Sequence, residues 1–156
     1  MMTRRTPRSP GSRWLFAGGM LSLAAAAIHL ATIVGGDDWY RFFGAGEAIA
    51  RAAERGSAVP GLLAAGIAAL LAVWAAFAFS GAGYGRRLPL LRTALVLISA
   101  IYLARAIAGF VPGGLRRPDL SAAFLFWSSL IVLLYGLVHA IGTWRAWPAL
   151  SKKEPA

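Results

Sequence analysis

Four apolar stretches, at residues 14–35, 60–80, 88–111 and 120–143 of a 156-residue chain, constrain everything else about it. Each has the ~20 residues that a helix needs to cross a hydrocarbon layer ~30 Å thick. Within lipid a backbone must satisfy its own N–H and C=O groups, which leaves helices or closed barrels. Barrel strands would read as segments of ~10 residues with alternating polarity, and these stretches do not alternate. The expectation is an all-α fold, an integral membrane four-helix bundle. Composition agrees: 58% of residues are hydrophobic and 14% charged, against about 25% charged in a soluble domain.

The breaks between stretches are made of residues that end helices. Gly35-Gly36-Asp37-Asp38 follows the first, Gly81-Ala82-Gly83-Tyr84-Gly85 the second, and Pro112-Gly113-Gly114 the third. Pro89 is expected in the opening turn of the third helix, where a missing N–H costs little. Asp119 or Ser121 would cap the fourth. The first stretch follows a basic segment, as a secretory leader would, but it exceeds the 7–15 apolar residues of a leader's core and is read as a span. The domain plan is a basic tail at 1–13, a transmembrane domain at 14–147 and a second tail at 148–156.

Lysine and arginine give the orientation. Arg4, Arg5, Arg8, Arg13, Arg86, Arg87, Arg92, Arg145, Lys152 and Lys153 fall on one side of the spans, and Arg41, Arg51, Arg55, Arg116 and Arg117 on the other. The richer side faces the cytoplasm. Both termini are therefore expected inside, in a bacterial inner membrane. Trp14, Trp144 and Trp147 would lie at the inner interface, with Trp39 and Tyr40 at the outer one. In the first outer loop, residues 47–55 read as a short amphipathic helix, with Glu47 and Arg51 spaced for an i, i+4 pair and Ala48, Ile49 and Ala52 as its apolar face. This segment either lies on the membrane surface over the mouth of the helices or is an ordinary solvated loop.

Polar side chains inside the spans carry the functional reading, because each is expensive in lipid. Arg105 lies about six residues, ~9 Å, below the outer end of the third helix. It either snorkels to the interface or points inward to a partner, with Tyr102 one turn earlier and Glu47, Asp37 or Asp38 as counterions from the outer loop. His29 is at a similar depth on the first helix, on one face with Ser22, Thr32 and Gly36. Ser121, Ser128 and Tyr135 recur every seven residues on the fourth helix, with His139 beyond them. The expected cluster is His29, Tyr102, Arg105 and Ser128, closed from above by Glu47. Its structural alternative is that serine and tyrosine simply join packed helices by hydrogen bonds. On the second helix, Ala64, Ala68, Ala72 and Ala76 form a row of small residues suited to close packing.

Several chemistries lack their residues. With no cysteine, disulfides, thiolate metal sites and a cysteine nucleophile are excluded. His29 and His139 are expected ~20 Å apart along the membrane normal, too far to share a metal, and no cofactor is implied. No phosphate-binding loop, HExxH or nucleophile elbow is present. A pairing of Ser128-Ser129 with His29 lacks the strained turn that a hydrolase uses, so an enzyme ranks last. The net charge of +10 sits at span ends and not on a sustained basic face, which speaks against nucleic acid.

The run Ala27-Ile28-His29-Leu30, then Gly35-Gly36-Asp37-Asp38-Trp39-Tyr40-Arg41-Phe42-Phe43-Gly44-Ala45-Gly46-Glu47, resembles uncharacterised small four-helix inner-membrane proteins of proteobacteria, as do the turn at 80–83, the segment 102–105 and Ser128-Ser129. The resemblance implies a shared fold and an inner-membrane location, and brings no activity or catalytic residues. Two functional expectations follow. The outer cluster binds a small anionic molecule or lipid headgroup, or the chain is a structural, accessory subunit of a larger membrane complex. Partners would be membrane lipid, further copies of the chain or another membrane protein.

Overall fold

A computed structural model describes residues 9–111, 113–115 and 117–151. The expected tails at 1–8 and 152–156, with Arg4, Arg5, Arg8, Lys152 and Lys153, lie outside the described residues, as do Pro112 and Arg116. The described chain forms α1 (Ser12–Phe42), α2 (Glu47–Glu54), α3 (Val59–Gly81), α4 (Leu91–Phe110) and α5 (Ala122–Leu150), without a strand. All but α2 are long and apolar enough to cross a membrane.

Consecutive long helices run in opposite directions. The start of α1 meets the end of α3, where the Ser12 hydroxyl donates to the Ala82 carbonyl at 2.7 Å. Around that bond, Leu15, Ala78, Leu91, Leu95, Ala146 and Leu150 form one buried cluster. So the start of α1, the end of α3, the start of α4 and the end of α5 share one end of the molecule, called here the basic end. Laterally α1 packs on α3, α3 on α4, α4 on α5 and α5 back on α1, which closes a ring.

The helix limits depart from the sequence reading where local chemistry overrides hydropathy. α1 continues to Phe42, interrupted at Gly36 (φ 71°, ψ −154°). Only glycine takes that conformation without strain, and it re-aims the last turn with Asp37, Asp38 and Arg41. Pro89 does not open α4. It precedes a left-handed Leu90 (φ 53°), and α4 starts at Leu91. α5 runs past 143 to Leu150, because Trp144 to Trp147 continue the helical pattern and Pro148 comes only in the final turn. Ser121 is its cap, accepting from the Phe124 N–H at 3.1 Å, while Asp119 pairs with Arg117.

α2 forms as expected but presents a different face. Ala50 is fully buried, and Ile49 and Ala53 pack with it against Tyr40 of α1 and Ala64 of α3. Ala48, expected on that face, is exposed. A period of 3.6 groups 46, 49, 50 and 53, and docking onto Tyr40 selects that stripe. The alanine row of α3 also drifts out of the interface. Ala64 and Ala68 are buried, Ala72 and Ala76 are exposed, and Leu71, Ala75 and Ala78 replace them inside. Each step of four advances 400°, so the row turns away by about 40° per step.

Candidate functional site

Three polar centres lie between the helices. The first is at the α2 end. Arg41, after the Gly36 break, donates to Asp37 (2.6 Å), Glu47 (3.1 Å from Nε) and Glu54 (2.5 Å), with Asp38 at 3.7 Å. Glu47 also accepts from Arg51 at 2.9 Å. Hydrogen bonds from Arg41 and then Arg51 hold the Glu47 carboxyl below the ordinary value of 4.5. Glu47, Asp37 and Asp38 are thus collected around Arg41, and none of them pairs with Arg105. The centre ties α1 to α2.

The second centre is at mid-bundle depth, where Tyr102 of α4 touches all the other long helices. Its hydroxyl lies 3.1 Å from Ser22 Oγ on α1. Its ring packs edge-on against Trp74 of α3 (5.0 Å between centroids) and near Tyr135 and His139 of α5 (5.6 and 5.2 Å). His139 Nδ1 donates to the Tyr135 carbonyl at 2.8 Å, and Nε2 faces Ser22 Oγ at 3.5 Å. With Nδ1–H committed, a neutral ring offers Nε2 as an acceptor. Ser22 then donates to His139 and accepts from Tyr102, so one ordered chain crosses α4, α1 and α5. Gly18 makes room for it, since a Cβ there would stand 2.9 Å from His139 Cε1. Ser22, Tyr102 and His139 are all buried, and their hydrogen bonds join three helices, as polar side chains between packed spans do.

The third centre is between α4 and α5. Arg105 Nη1 is sealed from solvent and has no hydrogen-bond partner among the described residues, and the same holds for Ser129 Oγ. Both flank Gly109. A Cβ on Gly109 would collide with Ser129 Oγ and stand 3.1 Å from Arg105 Nη1. Arg117 is engaged by Asp119 at 3.0 Å and by the Gly44 carbonyl at 3.1 Å, which pins the α4–α5 connection to the end of α1. The guanidinium beside it holds the Asp119 carboxyl below the usual carboxylate range. Above Gly109 a groove of about 500 Å³ is lined by Ala108, Phe110, Arg117, Leu125 and Phe126.

These centres distribute the expected cluster differently. No hydrogen bond or ion pair among the described residues joins His29, Glu47, Tyr102, Arg105 and Ser128 to one another. His29 Nδ1 donates to the Ala25 carbonyl one turn back at 2.8 Å, and Ser128 donates to Leu125 at 3.2 Å. Ser129, its neighbour, is the serine that points inward. Sequence reasoning weighed it only beside Ser128 as a hydrolytic pair and left it out of the cluster by following Ser121, Ser128 and Tyr135. A second row, Ser129, Gly136 and Thr143, has the same spacing and is buried throughout. Small size and not polarity was its signal. Among the described residues no three His, Asp or Glu side chains gather to hold a metal ion.

Comparison with protein-family models, with curated proteins and with solved structures returned no match.

Proposed function

We propose that this chain is a multi-pass protein of the bacterial inner membrane that binds a small anionic molecule or an anionic lipid headgroup at the α2 end of the α4–α5 interface. One observation carries the reading: Nη1 of the half-buried Arg105 is enclosed by protein with no hydrogen-bond partner or counterion among the described residues. A buried unpaired charge costs several kcal/mol, and ionisable groups within spans are placed for a use. An anion entering from the groove above Gly109 would complete Arg105, accept from Ser129 and be attracted by Arg117. The apolar lining from Phe110, Leu125 and Phe126 suits the hydrocarbon part of an amphiphile. In this reading Ser129 takes the place of Ser128, and His29, Glu47 and Tyr102 hold structure. The basic end faces the cytoplasm, so the groove opens toward the outer leaflet.

The test is native mass spectrometry of the protein in mild detergent beside its Arg105→Gln variant. A bound anion or anionic lipid that is lost in the variant supports the reading. A bare, folded chain in both sinks it.

A second reading, an accessory subunit or homo-oligomer, draws on α3. Ala69, Ala72 and Ala76 are exposed on it, and Gly66 has nothing within 4 Å of an added Cβ. Small residues facing lipid allow another helix to approach closely. A monomeric particle without a co-purifying protein after gentle extraction would remove this reading.

A further inference from the structure

A different binding feature lies at the basic end, away from Arg105. The α3–α4 turn swings Arg87 across to α5, where its guanidinium donates to the carbonyls of Ala149 (3.5 Å) and Leu150. These are among the last carbonyls of the helix, which draw a cation. Arg92, in the first turn of α4, places Cζ 4.1 Å from the centre of the Trp147 ring. The stack occupies the flat face of the guanidinium and leaves its N–H edge clear. No hydrogen bond or ion pair engages Arg92 among the described residues. No side chain caps α4 either, because its N-cap is the left-handed Leu90. The first N–H groups of the helix therefore lack intrahelical acceptors. A hollow of about 410 Å³ lies between these groups, lined by Arg87, Leu88, Leu91, Arg92, Thr93 and Leu150.

The surrounding charge is one-sided. The carboxylates among the described residues are Asp37, Asp38, Glu47, Glu54 and Asp119, all at the other end of the helices. Arg13, Arg86 and Arg145 add exposed positive charge at this one. Arg87 and Arg92, the latter stacked on Trp147, line the hollow together with the first turn of α4, and none of the carboxylates of the described residues lies at this end. Arginine forks match tetrahedral oxyanions, and helix N-termini accept phosphate. The rim is apolar, with Leu90 80% exposed, and Trp147 stands beside it under Arg92. Tryptophan marks the headgroup level of a bilayer. We propose that this hollow binds the phosphate group of an anionic phospholipid, with the leucine rim against its glycerol and upper acyl chains.

Both this site and the one at Arg105 would take an anionic lipid, so the test is run on the full chain carrying Arg105→Gln. That protein is titrated with phosphatidylglycerol or phosphatidylcholine and read by native mass spectrometry, with inorganic phosphate as competitor. Phosphatidylglycerol is expected to bind about fivefold tighter for each arginine engaged. Adding Arg92→Gln should remove about fivefold of that preference, and Arg92→Lys should keep part of it. Equal binding of the two lipids, or a preference untouched by Arg92→Gln, overturns the proposal. Inorganic phosphate that binds through Arg92 without any lipid preference overturns the lipid source and leaves a site for soluble phosphate. Should Arg92→Gln fail to fold, the comparison of lipids and phosphate with Arg92 intact decides alone.

Discussion

Tyr102 of α4 and Ser22 of α1 meet through their hydroxyl groups, 3.1 Å apart, with both side chains buried. Lipid tails are as apolar as leucine, so packing and hydrogen bonds rather than the hydrophobic effect hold spans together. Hydrogen bonds between spans average about 0.6 kcal/mol and reach about 1.7 kcal/mol. Tyr102→Phe and Ser22→Ala should each destabilise within that range. In a denaturant titration in micelles, the double variant should lose less than the sum of the single ones. Strict additivity would show that the two hydroxyls are not coupled.

Gly18 is an independent handle on the same centre. Gly18→Ala places a methyl group 2.9 Å from the His139 ring. Overpacking of this kind typically costs about 1–3 kcal/mol. The expected result is a lower unfolding midpoint, while Gly66→Ala, with nothing within 4 Å, leaves stability within about 0.5 kcal/mol.

Arg41 gathers carboxylates from both sides of the Gly44–Gly46 turn. Arg41→Ala leaves Asp37, Glu47 and Glu54 facing one another without their shared cation. α2 should then loosen from Tyr40 and Ala64, seen as faster hydrogen exchange over 47–54 with the long helices unchanged. Unaltered exchange there would mean that the apolar contacts of Ala50 suffice.

Acid should act on the same segment. The Glu47 carboxyl is held below its ordinary value of 4.5 by Arg41 and Arg51. A depressed carboxyl contributes stability that is present above its unfolded value and is lost as pH falls through its folded value. Docking of α2 should therefore be constant above about pH 5 and weaken progressively below 4.5. Exchange rates over 47–54 against pH would show it, and in Glu47→Gln the acid-dependent part should shrink.

The chain has no cysteine, so single cysteines report orientation cleanly. With the basic end in the cytoplasm, a cysteine at Ser57 should react with an impermeant thiol reagent in intact cells. One at Arg86 should react only after lysis. The reverse pattern would invert the proposed topology.

The helical framework was legible because hydropathy and length report directly on a solvent that is apolar and ~30 Å thick. Breaks at Gly36 and near Gly83 were legible for a related reason, since only glycine takes a positive φ freely. The polar interior was less so. Lists of intramembrane polar residues identified Ser22, Tyr102, Arg105 and His139, but not who meets whom. Depth along each helix can be counted from sequence, whereas azimuth depends on how neighbouring helices rotate to fit Gly18 against His139 and Gly109 against Ser129. The azimuth so set places Ser129 inward, about 100° around the helix from Ser128, and turns Ala72 and Ala76 outward. The sequence by itself determined the number and order of the long helices. The tertiary structure alone decided that Glu47 serves Arg41, that Tyr102 serves Ser22, and that Arg105 has no counterion among the described residues. Those pairings are set by contacts between residues far apart in the chain, which no local periodicity encodes.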